Sequence, residues 1–253
     1  MALGDSVTFG YQEGQVVPKP DYQKASSFLG YPEQLGTELN LRVANASCPG
    51  ETSSSLINPS APSNGCENSP GVPHGGYRTA FPLHVHYKGS QLAYALHYLK
   101  RHPQVRLVSL MIGANDLFRC QSTTSDGCTS KSEQQAVLGT ITRNVKHILS
   151  SIRHKAHYSG QLLILNYYSL NYASSFINGT VRALNSTVDG AAKPFGVRIA
   201  NGFGEFKAAS LHSGSNPCTA GLLTQVGGGK CGVHPSYAGQ ALLAQAVEKA
   251  IRL

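Results

Sequence analysis

The chain predicts an α/β fold, a parallel sheet covered by helices on both faces, and three observations lead there. Short, near-continuous apolar runs alternate with longer amphipathic stretches, the pattern of strands joined by helical crossovers. The apolar runs lack the polar alternation of a half-solvated sheet, so their strands are expected to be buried on both faces. Among the 253 residues, 41% are hydrophobic and only 13% charged, yet no apolar run reaches eighteen residues. The composition therefore supports a packed core and excludes disorder and a membrane span. No linker divides the sequence and no repeat period is visible, so one domain over residues 1–253 is expected.

Taken in order, residues 41–46, 105–112, 162–168 and 197–203 read as strands. Leu92, Ala95, Leu96 and Leu99 mark a helix. Val137, Leu138, Ile141, Val145, Ile148, Leu149 and Ile152 mark a second, and Ile177, Val181, Leu184 and Val188 a third. Leu242, Leu243, Ala246, Val247, Ala250 and Ile251 mark the last. Residues 59–77, rich in Pro, Ser, Asn and Gly, exceed the usual loop length and read as a lid-like functional loop or a tolerated insertion. With residues 78–87 they are positioned to cover a cleft. His84 and His86 fall in that segment and are too few for a metal site.

Twenty-one Lys and Arg against thirteen Asp and Glu give a net charge of +8. The cations are scattered, and the densest groups, Lys100-Arg101-His102 and Arg153-His154-Lys155, sit at helix ends where they complement the helix dipole. No nucleic-acid partner is expected. The six cysteines fall into sequential pairs, Cys48/Cys66, Cys120/Cys128 and Cys218/Cys231, each in a Gly/Pro/Ser/Thr-rich stretch. Neighbour pairing leaves the least chain to cross the fold, so three disulfides and an oxidising compartment are expected, with six reduced thiols as the alternative. No basic-then-apolar leader opens the sequence, as in a processed secreted chain.

Ligands of such a sheet bind beyond the carboxyl ends of its strands. Ser6, in Gly4-Asp5-Ser6, follows an apolar stub at one such end, where its hydroxyl can face a cleft. A serine nucleophile needs a base, and His234, in Cys231-Gly232-Val233-His234-Pro235, directly precedes the last helical stripe. A nearby helix N-terminus would keep that imidazole neutral, and Pro235 suits the first helical turn. Gly50, at the start of an expected helix, offers an unhindered N–H, and Asn115, after the 105–112 strand, offers an amide. With the N–H of Ser6, these would form three donors for a tetrahedral oxyanion.

Gly4-Asp5-Ser6, Gly50, Gly113-Ala114-Asn115-Asp116 and His234-Pro235, in that order, resemble the four sequence blocks of the SGNH, or GDSL-type, serine hydrolases. The resemblance spans residues 4–239 and implies a three-layer α/β/α sandwich with a central five-stranded parallel sheet. It makes Ser6 the nucleophile, His234 the base, and Ser6, Gly50 and Asn115 the oxyanion donors, with no cofactor or metal. The three cysteine pairs look like those of secreted actinobacterial esterases and lipases.

Two departures matter: only Met1-Ala2-Leu3 precede the Gly4-Asp5-Ser6 turn, where the family has a longer apolar strand, and Cys231 stands where the family places an acid three residues before the histidine. Either Glu205 or a backbone carbonyl near Cys231 would then orient His234. A Cys218–Cys231 bridge holding that loop favours the carbonyl, and a Ser–His dyad of that kind implies a reduced kcat. Zinc on Cys218, Cys231, His212 and His234 fits no standard spacing. The expected protein is a secreted, monomeric carboxylic-ester hydrolase of small-molecule or lipid esters. The alternatives are a carbohydrate O-deacetylase and a catalytically silent carbohydrate- or lipid-binding module. Tyr167, Tyr168 and Tyr172 either line the substrate cleft or pack.

Overall fold

Strands rich in Leu, Ile and Val on both faces must be covered on both faces, and these become the centre of the sheet. A computed structural model describes residues 1–68 and 75–252 of the chain. Its elements are β1 (Ala2–Gly4), α1 (Ser6–Phe9), α2 (Tyr31–Glu38), α3 (Tyr77–Ala80), α4 (Gln91–Arg101), β2 (Leu107–Met111), α5 (Ala114–Thr123), α6 (Lys131–Ser150) and β3 (Gln161–Leu165). They continue with α7 (Ser175–Ala192), β4 (Val197–Ala200), α8 (Gly202–Ser210), β5 (Leu223–Gly227), β6 (Lys230–Pro235) and α9 (Tyr237–Ala250).

β1 to β4 form a parallel sheet in sequence order, with Leu3 beside Leu110 and Leu110 beside Ile164. The expected α/β architecture is present, but the sheet has four strands, not five. Residues 44–46 lie along the free edge of β1 and exchange two hydrogen bonds with Ala2, yet make only a single bridge at Asn45. Two side chains take the groups that would extend the ladder: Gln91 Oε1 accepts from the Gly4 N–H at 2.6 Å, and the Tyr87 hydroxyl donates to Ala46 O at 2.9 Å. The Cys48 N–H still donates to Gly4 O at 3.2 Å, so the segment stays beside β1 without a second bridge, while Asn45 Oδ1 accepts from the Ser47 N–H and Nδ2 donates to Thr8 O and Glu33 Oε1.

All four expected helical stripes lie on helices, and serine caps start each of them. Ser90, Ser130, Ser174 and Ser236 accept from the N–H three residues on, at α4, α6, α7 and α9. Ile141, Val145, Ile148 and Leu149 of α6 and Leu184 and Val188 of α7 are buried, whereas Ile177 and Val181 of α7 are only partly so. Those two face a cavity described below. Pro235 ends β6 instead of opening α9, which starts two residues later behind Ser236.

The antiparallel hairpin β5–β6 carries no alternating apolar pattern and is absent from the sequence expectation. Three glycines with positive φ, Gly227 to Gly229, turn it, and the Cys218–Cys231 disulfide ties it to the preceding loop. Cys48–Cys66 and Cys120–Cys128 are also bridged, as the sequential pairing predicts. Within the 59–77 loop, residues 69–74 lie outside the described residues. No described helix is long and apolar enough to cross a membrane.

Candidate active site

The carboxyl ends of β1, β2 and β3 bring the site together. Asp5 caps α1, its Oδ1 accepting from the Val7 N–H at 3.0 Å, and so fixes Ser6 as the first helical residue. From the far end of the chain, β6 delivers His234. Its Nε2 lies 2.9 Å from Ser6 Oγ, and its Nδ1 lies 2.8 Å from Glu13 Oε1. With Nδ1–H donating to the carboxylate, Nε2 is left to accept the serine proton.

Glu13 replaces both expected partners of His234. Glu205 pairs instead with Lys249 at 2.8 Å between α8 and α9, and Cys231 is paired across the hairpin with Gln225 and bridged to Cys218. The hairpin is shaped around the Glu13 carboxylate: Val233 N–H donates to Oε1 at 3.0 Å and Thr224 Oγ to Oε2 at 2.5 Å. A side chain at Gly232 would collide with Oε1, since its Cβ would stand 1.9 Å away. Burial acts to raise the Glu13 pKa, but the hydrogen bond and charge of His234, with Thr224, outweigh it and hold the carboxyl at about 2.

The remaining predicted residues stand around Ser6. Gly50 lies in a turn, not at a helix start, with φ +84°, and a Cβ there would sit 2.5 Å from Asn64 O. That pairing of positive φ and close backbone approach requires glycine. Asn115 is the second residue of α5. Its Nδ2 points to Asp5 Oδ2 at 3.4 Å, and its Oδ1 accepts from Asn64 Nδ2 at 2.9 Å. Asp5 is fully buried, and desolvation lifts its carboxyl to about 6 despite a 2.5 Å hydrogen bond from Tyr167 and another from Val7. Asp116, also buried, is lifted to about 6 although Ser53 donates both its N–H and its hydroxyl.

Ser6, Gly50, Asn115 and His234 line one cavity of about 480 Å³. Leu117 and Phe118 of α5 and Phe176, Ile177, Val181 and Leu184 of α7 make an apolar wall beyond Asn115. On the other side Tyr11 meets the His234 ring edge-on at 4.8 Å, with Tyr77 beside it. Tyr167 and Tyr168 line the cavity and also brace the machinery, Tyr167 through Asp5 and Tyr168 by donating to Val233 O at 2.5 Å. Tyr172 is away from it and donates to Phe203 O. From the 59–77 loop, Asn64, Gly65 and Tyr77 reach the cavity; no residue of 78–87 does.

One cluster of metal-ligand type occurs among the described residues, Cys48, Glu51 and Cys66, but both sulfurs are in a disulfide and offer no thiolate. The zinc set weighed and set aside on spacing, Cys218, Cys231, His212 and His234, meets the same obstacle at its two cysteines.

The family described as GDSL-like Lipase/Acylhydrolase matches residues 2–242. The chain belongs to this family. As a member it is a carboxylic-ester hydrolase. Solved structures repeat the fold at low identity. Phospholipase A1 from Streptomyces albidoflavus is 20% identical, with TM-score 0.56 over 99% of this chain and 98% of that one. An extracellular lipase from Streptomyces rimosus is 18% identical, with TM-score 0.57 over the same shares. An acetylxylan esterase from Geobacillus stearothermophilus is 16% identical, with TM-score 0.59 over 98% of this chain and 91% of that one. No curated protein matches the chain in sequence.

Glu13 was out of reach of motif reasoning because it precedes His234 by 221 residues, whereas the family motif looks just upstream of the histidine. A local signal existed. Ser6–Phe9 is too short to carry the chain away, and Gly10 reverses it in a left-handed cap, so an acid seven residues after the serine must remain near it.

Proposed function

We propose that the chain is a secreted, single-domain esterase that works through a Ser6–His234–Glu13 relay and an acyl-enzyme intermediate. The observation that carries this reading is His234 held between Ser6 Oγ at 2.9 Å and the Glu13 carboxylate at 2.8 Å. Ser6 Oγ attacks the ester carbonyl and passes its proton to Nε2. Glu13, ionised and held by three donors, stabilises the imidazolium. The carbonyl oxygen becomes an oxyanion facing the N–H groups of Ser6 and Gly50 and the Nδ2 of Asn115. The imidazolium returns the proton to the departing alcohol, and water repeats the sequence on the acyl-enzyme. With a carboxylate in place, the reduced kcat of a dyad is not expected.

The substrate follows from the walls. Since Nε2 must reach the leaving oxygen, the alcohol departs on the His234 side, past Tyr11, and the acyl chain extends toward α5 and α7. That wall carries six apolar side chains, more than the two carbons of an acetyl group can cover, with Phe176 72% exposed and Phe118 40% exposed. We therefore assign an aliphatic acyl ester, not an acetylated sugar, as the substrate. Three disulfides support an oxidising, extracellular setting. A silent binding module has no use for a histidine aligned between a hydroxyl and a carboxylate. Hydrolysis of a chromogenic octanoyl ester by wild type and Ser6→Ala tests the reading. Wild-type turnover with a loss of at least about 10³-fold in the variant is expected, and equal rates would overturn it.

A further inference from the structure

Asn64 touches both groups that, besides Ser6, the proposed mechanism aims at the oxyanion. Its backbone N–H donates to Gly50 O at 2.7 Å, and its side-chain Nδ2 donates to Asn115 Oδ1 at 2.9 Å. We propose that Asn64 is a positioning residue of the oxyanion hole, fixing Asn115 so that Nδ2 and not Oδ1 faces the substrate. The proposal rests on the ester-hydrolase reading of the site.

The two ends of an amide are alike in shape and opposite in polarity, so only hydrogen-bond partners decide which end points where. A flipped Asn115 would set a lone pair against the developing negative charge. Asp5 Oδ2 favours the correct orientation weakly, at 3.4 Å from Nδ2. The shorter bond from Asn64 to Oδ1 is the stronger determinant, and accepting it also polarises the amide toward better donation by Nδ2.

Asn64 is itself held. Ser63 Oγ, one residue earlier, accepts from the N–H groups of Cys66, Glu67 and Asn68 and donates to Asn68 O, closing a tight turn. Cys66 is bridged to Cys48, two residues before Gly50, and Tyr77 N–H donates to Gly65 O at 2.7 Å. This part of the long loop is thus a brace between two oxyanion donors that come from different strand ends.

The test compares Asn64→Leu and Asn64→Asp with wild type on one chromogenic ester, reading kcat and KM separately. Both variants keep the backbone bond to Gly50. Leucine removes the donor, while aspartate sets an acceptor against Asn115 Oδ1 and favours the flipped amide. The expected kcat loss is about 10–100-fold for Asn64→Leu and a further roughly tenfold for Asn64→Asp, with KM within about threefold. Adding Asn64→Leu to Asn115→Ala is expected to cost nothing more, because the two act through one amide. A space-filling role predicts the opposite order, since aspartate is nearly isosteric with asparagine. Asn64→Asp proving the milder variant, or a loss that adds in full to Asn115→Ala, would overturn the proposal. If thermal unfolding shows that Asn64→Leu does not fold, Asn64→Ser against Asn64→Asp carries the same comparison. A wild-type chain without Ser6-dependent hydrolysis overturns the reading of the site, and this proposal with it.

Discussion

Glu13 Oε1 lies 2.8 Å from His234 Nδ1, joining the eighth residue after the N-cap Asp5 to a hairpin at the other end of the chain. The contact supplies a carboxylate where the sequence around His234 has none, and it does so from the loop that follows Ser6 and α1. Ser6 and Glu13 are therefore placed by one short segment, and His234 is inserted between them. The hairpin that carries His234 binds the same carboxylate through Val233 and Thr224, so Glu13 both orients the imidazole and anchors the element that bears it.

Acyl-chain choice is expected to follow the α5–α7 wall. Wild type should hydrolyse octanoyl esters with higher kcat/KM than acetyl esters. Val181→Trp, which fills the wall, should lower octanoyl kcat/KM by about 10-fold or more and leave acetyl turnover within about threefold, the range that lost apolar contact in a pocket supports. A chain-length series from acetyl to palmitoyl on both proteins checks this.

Stability is expected to depend on pH in two opposite senses. Glu13 is depressed from 4.5 to about 2, so its contribution is complete above pH 4.5 and is lost as the pH falls toward 2. Asp116 is raised from 3.8 to about 6 by burial, so folding is favoured by its protonation, and that gain is lost as the pH rises through 6. The Asp116 contribution is at most about 3 kcal/mol. Thermal unfolding between pH 4 and pH 8 should show Tm declining from about pH 4 to pH 6 and levelling above, and Asp116→Asn should make that decline shallower while Asp5, likewise raised to about 6, keeps the rest. An unchanged slope in the variant would remove Asp116 as its source.

Removing the Cys218–Cys231 disulfide by paired serine substitutions should loosen the hairpin beneath His234. The bridge closes a segment with a sequence separation of 13, for which about 3 kcal/mol of stability is expected. Activity should fall about tenfold even well below the new Tm, because His234 loses part of its fixed placement. Replacing Cys120 and Cys128 in the same way, far from the relay in sequence, should lower Tm without that loss of kcat.

Much of this arrangement was legible beforehand. The runs around Leu107–Met111 and Gln161–Leu165 are apolar on both faces, and the stripes of α4, α6, α7 and α9 repeat at helical spacing behind serine caps. Ser6, Gly50, Asn115 and His234 follow from block order, and one cavity gathers them. Three features were not legible. The fifth strand shrank to a bridge because Gln91 and Tyr87, both distant in sequence, take the Gly4 N–H and Ala46 O that would extend the ladder. The β5–β6 hairpin has no period-two pattern, being held by a disulfide and by Glu13 in place of a buried face. Glu13 meets His234 through a tertiary contact 221 residues away in sequence, and only the short α1 with its Gly10 cap hints that it stays near Ser6.

The relay is tested most directly by measuring kcat and KM of Glu13→Gln beside wild type and Glu205→Gln on one octanoyl ester. Glutamine keeps the shape of the side chain but cannot stabilise the imidazolium and can favour the wrong tautomer of His234. The predicted result is a kcat lower by about 10²–10⁴-fold in Glu13→Gln with KM within about threefold, and unchanged constants in Glu205→Gln. Glu13→Gln retaining wild-type kcat, or Glu205→Gln losing it, would contradict the account.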